Sequence, residues 1–265
     1  MESRDPELGG SSAALQVRLL GPLAISRDGT PVALPASRKV RALFAYLALA
    51  PHQVTRSRLC ELLWDVPNDP RGELRWCLSK IRRLVDQPGR RRLDAHADTV
   101  KLDLGDCHVD AAEITRATGE GLAILPVERL RALAALFAGD LLDGLEIDRN
   151  PAFNTWLLAQ RRRFRDCHTA IREHLAARVG GEEVFRHLDT WLQLAPFDLR
   201  VHKALLDALA RHGRIREGEE HLAATTRLFE AEGLDTGPLR TAWGSARARS
   251  ASRTRPRRPA VRPWR

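Results

Sequence analysis

The residues that could do chemistry lie on one face of a single predicted helix, in the stretch RGELRWCLSKIRRLVD at residues 71–86. At 100° per residue, one side of this helix is apolar and the opposite side is polar. Hydroxyl, ammonium and guanidinium groups donate hydrogen bonds to base edges and phosphates, and an indole offers apolar contact, for instance to a thymine methyl. The apolar side comprises Leu74, Cys77, Leu78, Ile81, Leu84 and Val85, and the opposite side has Trp76, Ser79 and Arg83, flanked by Arg75 and Lys80.

Two plainer interpretations of this face stay open on the sequence alone. A basic helix face is most often simply solvated. The exposed position of Trp76 would also be explained if its ring packed under the loop at residues 64–70 or against a second domain. The surrounding elements therefore have to decide whether this helix reads nucleic acid.

The positive charge of the chain is unevenly distributed, and the distribution is more informative than the total of +9. Residues 245–265 hold eight arginines and no acid, so this tail alone nearly accounts for the total. Residues 14–106 hold 16 basic and 10 acidic side chains, whereas residues 107–244 hold 18 and 21. A basic first half favours a nucleic-acid partner for that half, to which the tail could add non-specific affinity.

The elements around the helix follow the order of a winged helix-turn-helix domain. Alternating apolar residues from Leu15 to Leu19 predict a half-buried strand, and two shorter strands flank the Asp28-Gly29 turn, the second at Val32–Leu34. Together they predict a small antiparallel sheet. Three helices follow, for which the N-cap candidates are Ser37, Thr55 and Asp69.

Two strand-like pieces follow the third helix, around a turn near Ala97-Asp98, and they predict the hairpin called the wing. In a winged helix the third helix lies in the major groove and the hairpin lies along the backbone. The basic residues of the hairpin and of the loop before it are therefore predicted to contact phosphates. They are Arg90, Arg91, Arg92 and Lys101.

From about residue 110 the chain is predicted to be helical throughout. The segments EVFRHLDTWLQL and EGEEHLAATTRL are offset by 34 residues, the period of tetratricopeptide helix pairs, and match at Glu183/Glu217, His187/His221, Leu188/Leu222 and Leu194/Leu228. Gly180-Gly181 and Gly213 are predicted corners. His187 and His221 are predicted to be surface or packing residues at matching repeat positions rather than ligands. Arg161-Arg162-Arg163 is predicted to be the solvated edge of a long helix, with contact to DNA or a partner subunit as the alternative.

No set of residues with the spacing of a catalytic or metal site is visible in the sequence. The nine histidines are scattered, the four cysteines form no C-x-x-C pair, and Cys107-His108 has no second ligand pair at metal spacing. No glycine pattern fits a phosphate-binding loop. We therefore predict no enzyme, no metal and no cofactor.

Several of these segments together resemble the antibiotic regulatory protein (SARP) family of bacterial activators. The stretch LRWCLSKIR resembles the L-R-x-x-L-S-R-L-R pattern of that family's recognition helix, LQVRLLGPLAI its opening strands, and RKVRALFAYLAL and TRSRLCELLW its first two helices. GDLLDGLE, the long helix through LLAQRRRF, and APFDLRVHKALLDALARHGRIREGEEHL resemble its second module, the bacterial transcriptional activation domain. The resemblance covers residues 14–244.

The resemblance implies a mainly α chain with small β-sheets, an OmpR-type winged helix followed by an all-α tetratricopeptide-like domain. It implies an activator that binds direct repeats near a promoter, as a homodimer on tandem sites, and recruits RNA polymerase. Carried over by position, Arg75, Trp76, Ser79, Lys80 and Arg83 would face DNA. The segment facing polymerase would run from Asp65 to Pro70, with Asp65, Val66, Asn68 and Asp69 as its candidate contacts.

The sequence departs from the family pattern at two points. Thr99-Val100 stands where the wing usually carries Gly-Tyr, which puts the hairpin geometry in question, and Trp76 stands where a smaller residue is expected, so base preference does not transfer. The phosphate-binding loop of longer relatives is absent, so no ATPase activity is expected. The alternative function is a protein-interaction adaptor or ligand sensor built on the helical repeats, with a winged helix that does not read DNA.

The predicted organisation has four parts: a flexible leader at residues 1–13, a winged-helix domain at 14–106, a tetratricopeptide-like domain at 107–244 and a disordered Arg-rich tail at 245–265. The N-terminal residues do not form a signal peptide, and the longest apolar run, Ala42 to Ala50, is too short to cross a bilayer. These features predict a cytoplasmic bacterial protein without a membrane partner, associated with the nucleoid when bound.

Overall fold

Two groups of elements make up the structure, a computed structural model that describes residues 15–64 and 69–254. The first unit comprises the described residues up to Gly121 together with Ala132–Cys167. The second comprises Leu122–Arg131 and the described residues from His168 onward. The predicted division at residues 106/107 stays a prediction.

A four-stranded sheet opens the first unit, in the order β3-β2-β1-β7. Asp28 and Gly29 both have positive φ, 50° and 77°, in the turn between β2 and β3, as the Asp-Gly signal predicts. The third strand lies at Thr30–Pro31, earlier than the predicted Val32–Leu34. The strands are β1 (Leu15–Arg18), β2 (Ala24–Arg27), β3 (Thr30–Pro31) and, much later in the chain, β7 (His108–Val109).

Strand β7 pairs with β1 in parallel, so this sheet is mixed rather than purely antiparallel as predicted. The pairing is followed at once by Asp110, whose buried carboxylate accepts hydrogen bonds from the amides of Leu19 and Leu20 at the end of β1. Burial raises the pKa of this carboxyl, and the backbone donors oppose the rise. Because these groups are some 90 residues apart in the sequence, no local sequence pattern predicts this contact.

Three helices follow β3 in the chain and pack against one another, and each begins where its cap residue predicts. The side-chain oxygens of Ser37 and Thr55 accept from the amides of Val40 and Arg58, at 3.4 and 3.3 Å. The helices are α1 (Arg38–Leu49), α2 (Arg56–Leu63) and α3 (Pro70–Val85). Their shared core contains Val40, Leu43, Phe44, Leu59, Leu63, Leu74, Leu78 and Ile81.

A three-stranded sheet in the order β4-β6-β5 forms the wing. Strand β5 pairs with β6 in antiparallel register, with Leu93 opposite Leu102, although the hairpin lacks the family's Gly-Tyr pair. Val100, which stands in that place, is buried and holds β6 against the domain. The strands are β4 (Val54–Thr55), β5 (Leu93–Asp94) and β6 (Thr99–Leu102).

Arg161 is the first of the three consecutive arginines on the long helix that were predicted to be solvated. It is instead a structural residue that binds the chain before this helix. The Arg161 guanidinium donates to the carbonyls of Leu141 and Leu142, both at 2.9 Å, and pairs with Glu146. The helices of this region are α4 (Asp110–Glu120), α5 (Val127–Ala135) and α6 (Pro151–Ala176), with a 3₁₀ turn at Leu122–Ile124. The chain passes from one unit to the other within α5 and within α6.

The second unit continues as successive helices that pack against one another. Gly181 and Gly213, both of positive φ, lie at the corners between them. His187 contacts Arg172 on the preceding helix, and His221 contacts His202, each at 3.0 Å, which agrees with their prediction as surface or packing residues. The helices are α7 (Glu183–Leu194), α8 (Leu199–Arg211), α9 (Ile215–Ala231) and α10 (Gly237–Thr254).

Helix α10 extends to Thr254, which corrects the prediction of a disordered tail for residues 245–254. Composition suggests disorder there, but Trp243 and Ala246 are buried in a small core with Leu206 and Ala210 of α8. Trp243 fits because its ring lies against Gly218, where any Cβ would overlap it. Residues 255–265, like the predicted leader, lie outside the described residues.

Candidate nucleic-acid interface

Helix α3 is firmly fixed at its start, so its outer face is held at a defined place on the first unit. The Asp69 carboxylate caps it by accepting from the Gly72 amide at 2.8 Å, and Pro70 follows at the first helical position. Arg82 and Arg83 lie in its last turn, where cations interact favourably with the helix dipole. The six apolar residues of the predicted stripe are all buried.

The predicted reading residues lie on the opposite side and are accessible. Arg75, Trp76 and Arg83 are exposed, and Ser79 and Lys80 are half-buried. Trp76 is 48% exposed, so it belongs to the surface and not to the core of the unit. The structure thus brings all five residues onto one continuous face.

Two of these side chains, Trp76 and Lys80, contact each other along the helix, and Ser79 bonds to the backbone beside them. The Lys80 ammonium lies 5.2 Å from the centroid of the Trp76 ring, within cation–π range. The Ser79 hydroxyl donates to the carbonyl of Trp76 at 2.7 Å, which leaves its oxygen as an acceptor facing outward. The cation–π contact therefore keeps the Lys80 ammonium beside the Trp76 ring on the outer face of the helix.

A groove of about 450 Å³ runs beside this face. One of its walls is formed by Trp76, Lys80 and Arg83, and the other is the segment at residues 32–37 that leads into α1. The Trp76 side chain therefore lines this groove and has the Lys80 ammonium beside it. Solvation of a basic helix face does not explain an exposed indole beside a groove of this size.

The wing presents two of its four predicted phosphate contacts to solvent. Arg91 and Lys101 are exposed, the second on β6. Arg90 is only partly available, because its guanidinium pairs with Asp103 at 3.1 Å and with Asp106 at 3.4 Å.

Arg92 is corrected from a predicted phosphate contact to a buried structural residue. Its side chain is 1% exposed. It donates to the carbonyl of Val85 at 2.7 Å and pairs with Asp106 at 2.8 Å. The hydrogen bond from Arg92 holds the pKa of the Asp106 carboxyl far below its usual range. Three arginines in a row gave no sign in the sequence that the third turns inward.

Arg56 helps to position the wing, a role that the sequence did not indicate. It begins α2, and its backbone amide donates to Asp98 at 2.7 Å while its side chain donates to Ala97 at 2.9 Å. These carbonyls form the wing turn, in which Ala97 has a positive φ of 46°. A residue 41 positions earlier thus fixes the turn of the hairpin, which only the tertiary fold can reveal.

The predicted polymerase-facing segment is described only at its end. Asp65, Val66 and Asn68 lie outside the described residues. Asp69 is described, and its carboxylate serves as the cap of α3, with a longer contact of 3.9 Å to Arg75.

A comparison with protein families decides what kind of protein carries this surface. The model described as "bacterial transcriptional activator domain" matches residues 102–244, more than half of the chain. The chain belongs to this family. The bacterial transcriptional activator domain family comprises transcriptional regulators and is not a family of enzymes.

The fold of this bacterial transcriptional activator is also that of a solved structure. EmbR from Mycobacterium tuberculosis, solved in complex with a low-affinity phosphopeptide, matches with a TM-score of 0.68 at 23% identity. The match covers 91% of this chain and 70% of that chain. The match confirms the predicted fold class, a winged helix followed by a tetratricopeptide-like helical domain. Together with the family match over residues 102–244 it supports the predicted SARP-type resemblance. No curated protein matches the chain.

The part of the activator that the structure describes contains neither a candidate metal site nor a membrane-spanning helix. Within residues 15–64 and 69–254, no three histidine, cysteine or acidic side chains are grouped so that they could hold a metal ion. No helix in the same described ranges is long and apolar enough to span a membrane.

Proposed function

We propose that this activator binds DNA sequence-specifically, with α3 in the major groove and the β5–β6 wing along the phosphate backbone. The observation that carries the proposal is the outer face of α3, where five polar, basic and aromatic side chains stand opposite a fully buried apolar stripe. A rigid helix with an accessible donor-rich face is the element that winged-helix proteins use to read bases.

The basic candidate residues divide between base contacts and phosphate contacts in this proposal. Arg83 and Lys80 donate to base edges or to neighbouring phosphates, and Arg91 and Lys101 bind phosphates beside the wing. Arg90 contributes less, because two carboxylates already neutralise it. Phosphate binding releases counterions, so affinity falls with salt at a slope of about 0.9 per neutralised phosphate.

The test is a binding titration on a site selected from genomic fragments, with fluorescence anisotropy as the readout. Lys80→Ala and Arg83→Ala should each weaken binding by about tenfold or more. Arg116→Ala, which removes an exposed arginine on α4, is the matched control and should change little. If both α3 variants bind like the parent chain, the helix does not read DNA. Specific capture of a protein partner without DNA affinity would then favour the adaptor function.

We further propose that the segment from Asp65 to Asp69 contacts RNA polymerase. Loss of that contact should separate activation from DNA binding. Asp65→Ala and Asn68→Ala should retain binding to the selected site and lose activation in a purified transcription assay. Asp69→Asn is the companion variant, since asparagine also caps helices. Full activation by the Asp65 and Asn68 variants would assign polymerase recruitment to another surface.

Direct repeats are the expected operator, read by two copies of the chain. Two half-sites separated by one helical turn of DNA lie on the same side of the duplex. Insertion of about five base pairs between the repeats should weaken binding strongly, and insertion of a full turn should restore part of it. Equal binding to a single half-site would argue against a pair of copies.

A further inference from the structure

The last turn of α3 is bound from outside the helix by two arginines that belong to different sheets. The final carbonyls of a helix have no partner within the helix and carry partial negative charge. The carbonyl of Leu84 accepts from the Arg27 guanidinium of β2 at 3.0 Å. The carbonyl of Val85 accepts from Arg92, which directly precedes β5, at 2.7 Å. The end of α3 is therefore bonded to the four-stranded sheet as well as to the wing.

The contact from Arg27 joins groups that are 57 residues apart in the sequence, and the side chain that makes it is half-buried. The Arg27 Nε atom is buried and has no hydrogen-bond partner within the part of the chain that the structure describes. A buried polar atom without a partner costs free energy, so an arginine with only a solubility role would extend into water instead. The Arg27 side chain is thus directed toward α3.

Arg27 also belongs to the strand pair from which the other wall of the groove extends. It is the last residue of β2, which pairs with β3, and the amide of Val32 continues this pairing by donating to the carbonyl of Ile25 at 2.8 Å. Residues 32–37 then form the wall opposite the outer face of α3, and Leu84 lines the same groove. A single side chain therefore connects the two walls.

We propose that Arg27 is a positioning residue for base reading, which sets the separation between α3 and the segment at residues 32–37. This role rests on the proposed function of α3, because it concerns how that helix is presented to DNA. The bond to Leu84 gives the last turn of α3, which carries Arg83, one place relative to the sheet. Side chains discriminate between bases only when their supporting contacts hold them within about 0.5 Å of the productive geometry.

A positioning residue and a phosphate contact have different signatures in DNA binding. Removal of a phosphate contact weakens binding to all sequences about equally and reduces the salt slope by about one. Removal of a positioning residue lowers the ratio of affinities between the selected site and a site with one altered base pair, and leaves the salt slope unchanged. The second signature is expected for Arg27.

The test is anisotropy titration of the full chain on the selected site and on a site altered at the base pair whose preference Arg83→Ala relaxes. Arg27→Met removes the guanidinium and keeps an apolar stem, and it should lower the ratio of affinities by about fivefold or more at an unchanged salt slope. Arg27→Lys, which still has a donor for the Leu84 carbonyl, should retain most of the ratio. Arg18→Met, which removes an exposed arginine from neighbouring β1, is the control of equal charge.

A double variant shows whether Arg27 acts through the end of α3. In the Arg83→Ala chain the Arg27→Met substitution should change the ratio of affinities by less than about twofold, because residues that act through one contact are not additive. Circular dichroism checks that each variant keeps its helix content, and Arg27→Gln is the second variant if Arg27→Met does not. Arg27→Met with a salt slope reduced by about one would make Arg27 a phosphate contact and overturn the proposal.

A measurement on the free chain separates this proposal from the proposed function. The indole N–H signal of Trp76 in a ¹⁵N–¹H NMR spectrum is assigned by its loss in Trp76→Phe. It should shift in Arg27→Met, since the opposite wall of the groove moves, and stay in place in Arg18→Met. If the parent chain binds no DNA specifically but the signal shifts, the proposed function fails and the positioning of α3 by Arg27 stands. If the parent chain binds specifically and Arg27→Met discriminates between bases as the parent does, the positioning role is wrong and the proposed function stands.

Discussion

The carboxylate of Asp110 accepts hydrogen bonds from the backbone amide of Leu19, 91 residues earlier, at 2.8 and 2.9 Å. The same carboxylate accepts from the amides of Leu20 and Ala111. A single buried side chain thus satisfies three backbone donors and fixes the end of β1 to the start of α4.

Asp110→Ala should therefore lower the free energy of unfolding by about 3 kcal/mol or more, since each unpaired buried donor costs about 1–3 kcal/mol. Urea denaturation followed by circular dichroism measures the loss. Glu120→Ala, at the exposed end of the same helix, is the control. A loss below about 1 kcal/mol would mean that water or a rearranged backbone replaces the carboxylate.

The neighbouring arginines 91 and 92 should respond in opposite ways to the same substitution. Arg92→Gln removes a buried ion pair and should destabilise the chain by about 2 kcal/mol. Arg91→Gln should leave the melting temperature unchanged, weaken DNA binding and reduce the salt slope by about one. Thermal melting and anisotropy at several salt concentrations measure both. If instead Arg92→Gln weakens DNA binding and Arg91→Gln lowers the melting temperature, Arg92 is a DNA contact and not a structural residue.

Trp76 should contribute to base preference and not only to affinity. Trp76→Ala removes the indole from the groove and frees Lys80, so we expect a changed preference at one position, worth about 1–3 kcal/mol. Selection from randomised sites compares the preferences of the two chains. Leu158→Ala, which removes an exposed apolar side chain from α6, is the control. If the base preference is unchanged and binding is uniformly weaker, Trp76 contributes to affinity but not to base preference.

Acid should destabilise the second unit through the pair formed by buried His202 and half-buried His221. His202 donates to the carbonyl of Pro196 at 2.8 Å and lies 3.0 Å from His221. Burial, together with the neighbouring His202, lowers the pKa of His221 to about 4, and burial also lowers the pKa of His202. The folded state therefore binds fewer protons than the unfolded chain, so stability is complete above about pH 6.5 and declines toward pH 4.

The expected loss from His221 is at most about 3 kcal/mol, measured as the unfolding free energy at pH 7.5 and pH 4.5. His221→Gln should lose less stability over this interval than the parent chain. His52→Gln, which changes an exposed histidine of the first unit, should behave like the parent. An equal acid loss in the His221 variant would show that the pKa of His221 is the same in the folded and unfolded states.

The sequence by itself determined the elements whose signals are local. The apolar stripe of α3, the caps at Ser37, Thr55 and Asp69, and the turn at Asp28-Gly29 all lie within a few residues of what they specify, and the structure contains each of them. The exposed face of α3 follows from the same periodicity, because a helix that buries one stripe must present the opposite one. The order of these elements was then sufficient for the fold class.

Tertiary structure alone decided which charged residues are available and where the helices end. Arg91 and Arg92 are adjacent in the sequence, but only Arg92 lies near Asp106 and the carbonyl of Val85, so it is buried while its neighbour is exposed. Helix α10 continues through an arginine-rich segment because Trp243 and Ala246 pack against α8. The physical reason is common to both: burial depends on partners distant in the chain, and neither composition nor local periodicity encodes where those partners lie.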